Sequence, residues 1–153
     1  MHHLKKQGLI VWIGIDPDDE YKISVQISND KEPFEMQQRI LIDKEHYTCA
    51  MEVTDRRSED EISADEFLIA MFPYNFHDIP CQLVSFKKGA DSKWMISSKT
   101  EVTHPERTKT LLLNCFITAE NLIFVILHEA MVLLDSALTK VKDIKLTDIH
   151  MRI

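Results

Sequence analysis

The sequence predicts an α+β fold, mostly antiparallel sheet, with elements in the order strands, helix, strands, helix. Three observations point there. Stretches such as "YKISVQIS" and "HYTCAMEV" alternate apolar and polar residues with the period of a half-buried strand. "SADEFLIAMF" opens with the signature of a helix N-terminus and stops at Pro73. The long apolar stretch from Thr118 to Lys142 sets Ile123, Ile126, Leu127, Ala130, Leu134, Ala137, Leu138 and Val141 at helical spacing. A chain of 153 residues fits a single domain over 1–153, with a core that needs neither disulfide nor metal.

Taken in order, residues 8–15 are apolar on both faces, as in a central strand. "DPDDE" turns the chain. Tyr21, Ile23, Val25 and Ile27 then share one face of a strand, with Lys22, Ser24, Gln26 and Ser28 on the other. "MQQRILI" reads as a weaker strand. In "HYTCAMEV", Tyr47, Cys49, Met51 and Val53 point inward, which completes a four-stranded meander. "DRRSEDEI" is a charged loop leading to a capping box, where Ser63 accepts from first-turn amides and Glu66 reaches back. A short helix near 64–72 follows, with Phe67, Leu68, Met71 and Phe72 on its inner face. "CQLVSF" and "SKWMISS" form a hairpin around Gly89, and "TKTLLLNCFI" is a further strand after the "HPER" turn. Residues 144–153 are a last strand or an irregular tail. The strands-helix order repeats in outline, yet no repeated residues accompany it.

Thr118 is a good N-cap for a long C-terminal helix near 119–142. Asn121, His128, Asp135 and Lys142 recur every seven residues on its polar side. A membrane span needs about 20 uninterrupted apolar residues. Here the apolar run stops at Leu127, so no span is expected. One competing reading makes "LIFVIL" a strand, in a hairpin with 109–117, with a shorter helix after His128.

The excess of 25 acidic over 18 basic residues gives a net charge of −7. That disfavours nonspecific binding to nucleic-acid phosphates, which requires an electropositive surface. Cys49, Cys81 and Cys115 stand far apart without zinc-ligand spacing, so each reads as a small core hydrophobe. Their odd number, together with the lack of a small-residue cleavage site after "GLIVWIGI", points to a cytoplasmic protein.

Few residues carry a chemical signature. Three glycines, Gly8, Gly14 and Gly89, make neither a phosphate-cradling loop nor a nucleophile elbow. His128-Glu129 begins like a zincin motif, but position 132 is Val where the second imidazole is needed. Asp16, Asp18 and Glu20 match the first ligands of a calcium loop, but Tyr21 replaces its glycine and Ile27 its final glutamate. His77, Asp78 and Cys81 are close enough in sequence for a loop cluster of nucleophile and base. Trp12, Trp94, Tyr74 and Phe76 are the aromatic residues read as exposed. In "FPYNFHDIP", two prolines bracket aromatics outside regular structure. Tyr74, Phe76 and His77 are therefore the partner-binding candidates, since rigid aromatics anchor interfaces.

Together these features predict a small acidic protein-binding module without catalytic activity, of the adaptor, chaperone or immunity-inhibitor kind. No metal or other cofactor is expected. The expected partner is another protein, a homodimer included, rather than nucleic acid or membrane. The alternatives are a small hydrolase-like enzyme using His77, Asp78 and Cys81 or His128 and Glu129, and a domain holding an apolar ligand between sheet and helix.

Overall fold

A computed structural model describes residues 1–5, 7–44, 47–55, 66–73, 81–102, 112–117, 122–127, 130–135 and 137–145. It is all-β, with twelve strands in three four-stranded antiparallel sheets and no helix among the described residues. The first sheet comprises β1 (His2–Leu4), β2 (Leu9–Ile15), β3 (Lys22–Asn29) and β4 (Met36–Asp43). The second comprises β5 (Tyr47–Asp55), β6 (Glu66–Pro73), β7 (Cys81–Lys88) and β8 (Trp94–Val102). The third comprises β9 (Leu112–Ile117), β10 (Ile123–Leu127), β11 (Ala130–Leu134) and β12 (Lys140–Lys145). In each sheet, neighbours in sequence are neighbours in space, so each is a simple meander.

The second sheet is the middle layer. Phe67, Ile69, Met71, Val84, Phe86 and Trp94 from it meet Leu9, Val11, Ile23, Val25, Ile27 and Ile42 of the first sheet. Its opposite face, with Leu68, Ala70, Cys81, Leu83 and Val102, meets Ile123, Val125, Leu127, Ala130, Val132 and Leu134 of the third. Phe67 stacks on Phe86 at 4.8 Å between ring centroids and tilts against Trp94 at 5.0 Å. The backbones of successive sheets approach within 8 Å where β1 and β2 meet β5 and where β5 meets β9. Farther out, the Gln38 side-chain amide of β4 accepts from the Trp94 N–H at 2.7 Å and donates to the Trp94 carbonyl at 2.6 Å. The three meanders therefore pack face to face in the order first, second, third.

This architecture corrects the α+β expectation. Residues 66–73 form strand β6, not a helix near 64–72; Ser63 of the capping box lies outside the described residues. The run "FLIAM" is apolar because both faces of a central strand are covered: Phe67, Ile69 and Met71 look to one core, Leu68 and Ala70 to the other. The long helix near 119–142 is replaced by β10, β11 and β12. The competing reading was right about "LIFVIL": β10 pairs with β9, Val125 opposite Cys115. Its shorter helix after His128 is absent as well, since β11 pairs with β10 there, Val125 opposite Val132.

The helical spacing was a coincidence of phase. Ile123, Val125 and Leu127 alternate inward on odd positions, and Ala130, Val132 and Leu134 on even ones. Joined by two residues, the two alternations place Ile123, Leu127, Ala130 and Leu134 at intervals of four and three, as on one helix face. Val125 and Val132, off that face yet fully buried, are what separates the two readings. The early strands, the hairpin around "KKGAD" and the strand in "TKTLLLNCFI" match expectation, but the strand in "HYTCAMEV" does not complete the first meander: as β5 it opens the second sheet beside β6, and the first sheet takes its fourth strand from β1, which was not foreseen. Its turn into β2 uses Gly8 at φ 64°, a left-handed conformation that suits glycine. No helix among the described residues is long and apolar enough to cross a membrane.

Candidate partner-binding surface

The residues singled out from sequence are only partly placed. Tyr74, Phe76, His77 and Asp78 lie outside the described residues, as do His128 and Glu129. Cys81, the third member of the loop cluster, begins β7 and is wholly buried in the second core. Trp94, expected to be exposed, is buried beside Phe67. Trp12 is indeed exposed, on the face of the first sheet that points away from the core. With no helix among the described residues, an apolar cavity between sheet and helix has no second wall there.

Exposed apolar side chains are concentrated on the first sheet and its connections. Trp12, Ile15, Tyr21, Phe34, Met36 and Leu41 all lie there, with Phe34 at 90% exposure the most open. Phe34 follows Pro33 in the connection from β3 to β4. That connection is held by its own hydrogen bonds: Lys31 N–H donates to the Asn29 side-chain Oδ1 at 2.9 Å, Glu32 N–H to the Asn29 carbonyl at 3.1 Å, and Glu35 N–H to the Glu32 carbonyl at 3.0 Å. Proline fixes one dihedral immediately before the ring. Met36, also exposed, begins β4 two residues on. Tyr21 sits at the opposite end of β3, roughly 26 Å away at the usual strand rise. It is a separate feature. The sequence signal for Phe34 was present in "NDKEPFEM", a turn-rich stretch with one aromatic after proline, but an isolated Phe does not announce its exposure.

The polar focus of this sheet is a carboxylate–guanidinium cluster. Asp16 ends the outward-facing row Ile10, Trp12, Gly14 of β2 and is only 3% exposed. Its Oδ1 accepts from the N–H groups of Asp18 at 3.0 Å and Asp19 at 3.1 Å, and its Oδ2 pairs with the Arg39 guanidinium. Arg39 also reaches Asp18 Oδ2 at 3.2 Å. The Arg39 hydrogen bond is the main force holding the Asp16 carboxyl below its ordinary range, against the opposing effect of burial, with the two backbone amides assisting. At the same end of the sheet, Lys22 pairs with Asp43, which raises the lysine and lowers the carboxylate. The "DPDDE" acids are thus an Asx-type turn clasped by Arg39. Among the described residues, no group of three or more His, Cys, Asp or Glu side chains is disposed to hold a metal ion.

Comparison with protein families, with curated proteins and with solved structures finds no match to this chain.

Proposed function

We propose that the protein is a binding module that engages another protein through the first sheet, with Phe34 as anchor and Met36 beside it. The observation that carries this reading is a phenylalanine held almost fully in solvent by a connection built from three hydrogen bonds and a proline. An exposed aromatic loses its hydration cost only when something covers it, and a pre-ordered loop loses little entropy when that happens. The acidic surface of the chain suits a partner with basic residues around an apolar recess.

The test compares wild type with the double variant Phe34→Ser, Met36→Ser by cross-linking and mass spectrometry in the native host. Both residues are exposed, so the variant should keep its thermal midpoint while losing the cross-linked partner. An unchanged set of cross-linked proteins would remove this surface from consideration.

A further inference from the structure

We infer that two copies of this chain associate through the outer edge of β4, antiparallel about a two-fold axis at Leu41, so that their first sheets continue into one another. Phe34 and Met36 lie ahead of the paired segment, so the inference stands or falls independently of the proposed function.

The first support is an edge whose backbone has no partner. β4 is the last strand of the first sheet and pairs only with β3. The ladder fixes which of its groups are used. Lys44 N–H donates to the Tyr21 carbonyl, and Asp16 N–H to the Lys22 carbonyl. Antiparallel hydrogen bonds serve every second residue. Gln38, Ile40 and Ile42 therefore bond to β3, whereas Arg39, Leu41 and Asp43 turn N–H and carbonyl outward. Among the described residues, nothing meets those outward groups. Leu41 stands in their middle at 46% exposure. A row of unpaired amides and carbonyls is a template for another strand. The other edges are less suited. On β8 the Gln38 side chain already meets the Trp94 N–H and carbonyl, and the ladder is interrupted by a bulge at Ser97. β12 carries Lys140, Lys142 and Lys145, a concentration of like charge. The edges of β1, β5 and β9 lie where the sheets approach one another.

The second support is self-complementarity. With Leu41 opposite the partner's Leu41, Arg39 faces the partner's Asp43, and Ile40 faces the partner's Ile42. Every outward-bonding residue then meets another, which makes about six backbone hydrogen bonds across the axis. Opposite charges and apolar pairs stabilise such contacts, and like charges in direct opposition destabilise them. Registers centred on Arg39 or Asp43 set like charges face to face. Those centred on Ile40 or Ile42 leave Arg39 and Asp43 without an opposite charge across the axis. Within each copy Asp16 and Asp18 hold Arg39, and Lys22 holds Asp43, so covering the edge strands no lone ion.

The third support is the state of the first core at this edge. Ile42 is buried, but Ile40 is only partly so and packs at the core's margin. The inferred register lays the partner's Ile42 beside Ile40 and closes that margin. A single strand pair covers less than the roughly 1,600 Å² of a standard interface, so the association is weak and reversible. A two-fold contact uses the same patch on both copies and does not propagate.

The test is the mass of the purified 153-residue chain by light scattering and native mass spectrometry, from about 1 to 300 μM, the range suited to a weak contact. The expected mass rises from 17.8 kDa at the dilute end toward twice that value and no further. Leu41→Lys and Leu41→Glu should each stay monomeric at the concentrated end, because each opposes like charges at the axis. Leu41 is exposed, so both variants should keep the wild-type circular dichroism and thermal midpoint. An equimolar mixture of the two should recover the dimer, since only the pairing of this position with itself sets lysine against glutamate. In the wild type, amide hydrogen exchange at Leu41 should slow as concentration rises, a readout that needs no variant. A wild-type monomer throughout, assemblies beyond two copies, a dimer that survives either substitution, or two folded variants that stay monomeric when mixed would each overturn the inference. So would exchange at Leu41 that is equally fast at both ends of the range.

Discussion

At the scale of single residues, the chain keeps its irregular positions under local hydrogen-bond control. Two hairpins close in the same way. Gly89 N–H donates to the Lys93 carbonyl and Ser92 N–H to the Gly89 carbonyl, with Ser92 at φ 62°. Asp135 N–H donates to the Thr139 carbonyl and Leu138 N–H to the Asp135 carbonyl, with Leu138 at φ 64°. The glycine visible in "KKGAD" is therefore not the left-handed residue. A Cβ at Gly89 would come within 2.9 Å of the Asp91 carboxylate, which accepts from the Lys93 N–H, so a larger residue there would displace that carboxylate. The left-handed leucine costs roughly 1–2 kcal/mol, offset by its burial in the second core. Sequence reading had no means of finding Leu138, since nothing in a leucine announces φ above zero. It found the acids of "DPDDE" but not Arg39, which lies 23 residues from Asp16 and reaches it only because β4 returns alongside β3.

The Asp16–Arg39 pair makes a testable statement about acid stability. Asp16 is depressed in the folded protein, so its contribution is fully present above the unfolded carboxylate range near pH 4. It is lost as pH falls through the lower folded value. Asp16→Asn should therefore melt earlier than wild type at neutral pH, and the gap between the two should close on acidification below about pH 4. Parallel thermal melts across that range check this. A gap of constant size at all pH values would mean that the carboxylate charge contributes nothing.

At the scale of elements, alternation was a safe guide wherever one face meets solvent. β3 reads directly from Tyr21 to Ser28, because Ile23, Val25 and Ile27 face a core and Lys22 and Gln26 do not. It failed in two places for different reasons. In β6 both faces are covered, so period two vanishes into a continuous apolar run. In β10 and β11 the two alternations are out of phase and add up to a helical period. Val125 and Val132 were the overlooked evidence: β-branched, mutually opposed across the hairpin, and buried. Leu134→Ala should cost about 2–5 kcal/mol, as for a core leucine in any fold. Val125→Asp separates the strand from the helix. On a helix this position would lie off the apolar stripe and tolerate a charge. In the hairpin it should abolish the cooperative denaturation transition, because an unpaired carboxylate would be placed between the second and third sheets.

At the scale of the whole molecule, stability is distributed over two cores that share one sheet. Among the described residues, each outer sheet turns one apolar face to the middle sheet, which supplies the opposing face to both. The cross-sheet pairing of Gln38 with Trp94 adds a directional link, since loss of that amide would leave a buried N–H and carbonyl to be satisfied otherwise, at about 1–3 kcal/mol. A fragment ending at Val102 contains the complete first core and should melt cooperatively. A fragment ending at Asp43 contains half of it and should not. Calorimetry on the two fragments checks this, and a sharp transition in the shorter one would show that the first sheet is self-sufficient. Neither the stacking order nor the shared middle sheet could be read from the chain, because contacts between sheets join residues far apart, as Val11 and Phe67 are. Individual strands of the first two sheets were readable because their alternation is local, but their grouping was not, since β5 belongs with β6 and not with β4.

That arrangement has a consequence for the nascent chain. As the ribosome extends the polypeptide, the first sheet can pair its strands as soon as Asp43 has emerged, yet Val11, Ile23, Val25, Ile27 and Ile42 still have nothing to cover them. Their cover, Phe67, Ile69, Val84 and Phe86, and then Trp94, follows only later in the chain. At ordinary elongation rates the wait until Trp94 is roughly 3–10 s, far longer than the microseconds a hairpin needs to form. During that interval a paired, sticky β-surface stands open beside its neighbours on the same message, and this is when the protein is most exposed to misassembly and most in need of a chaperone.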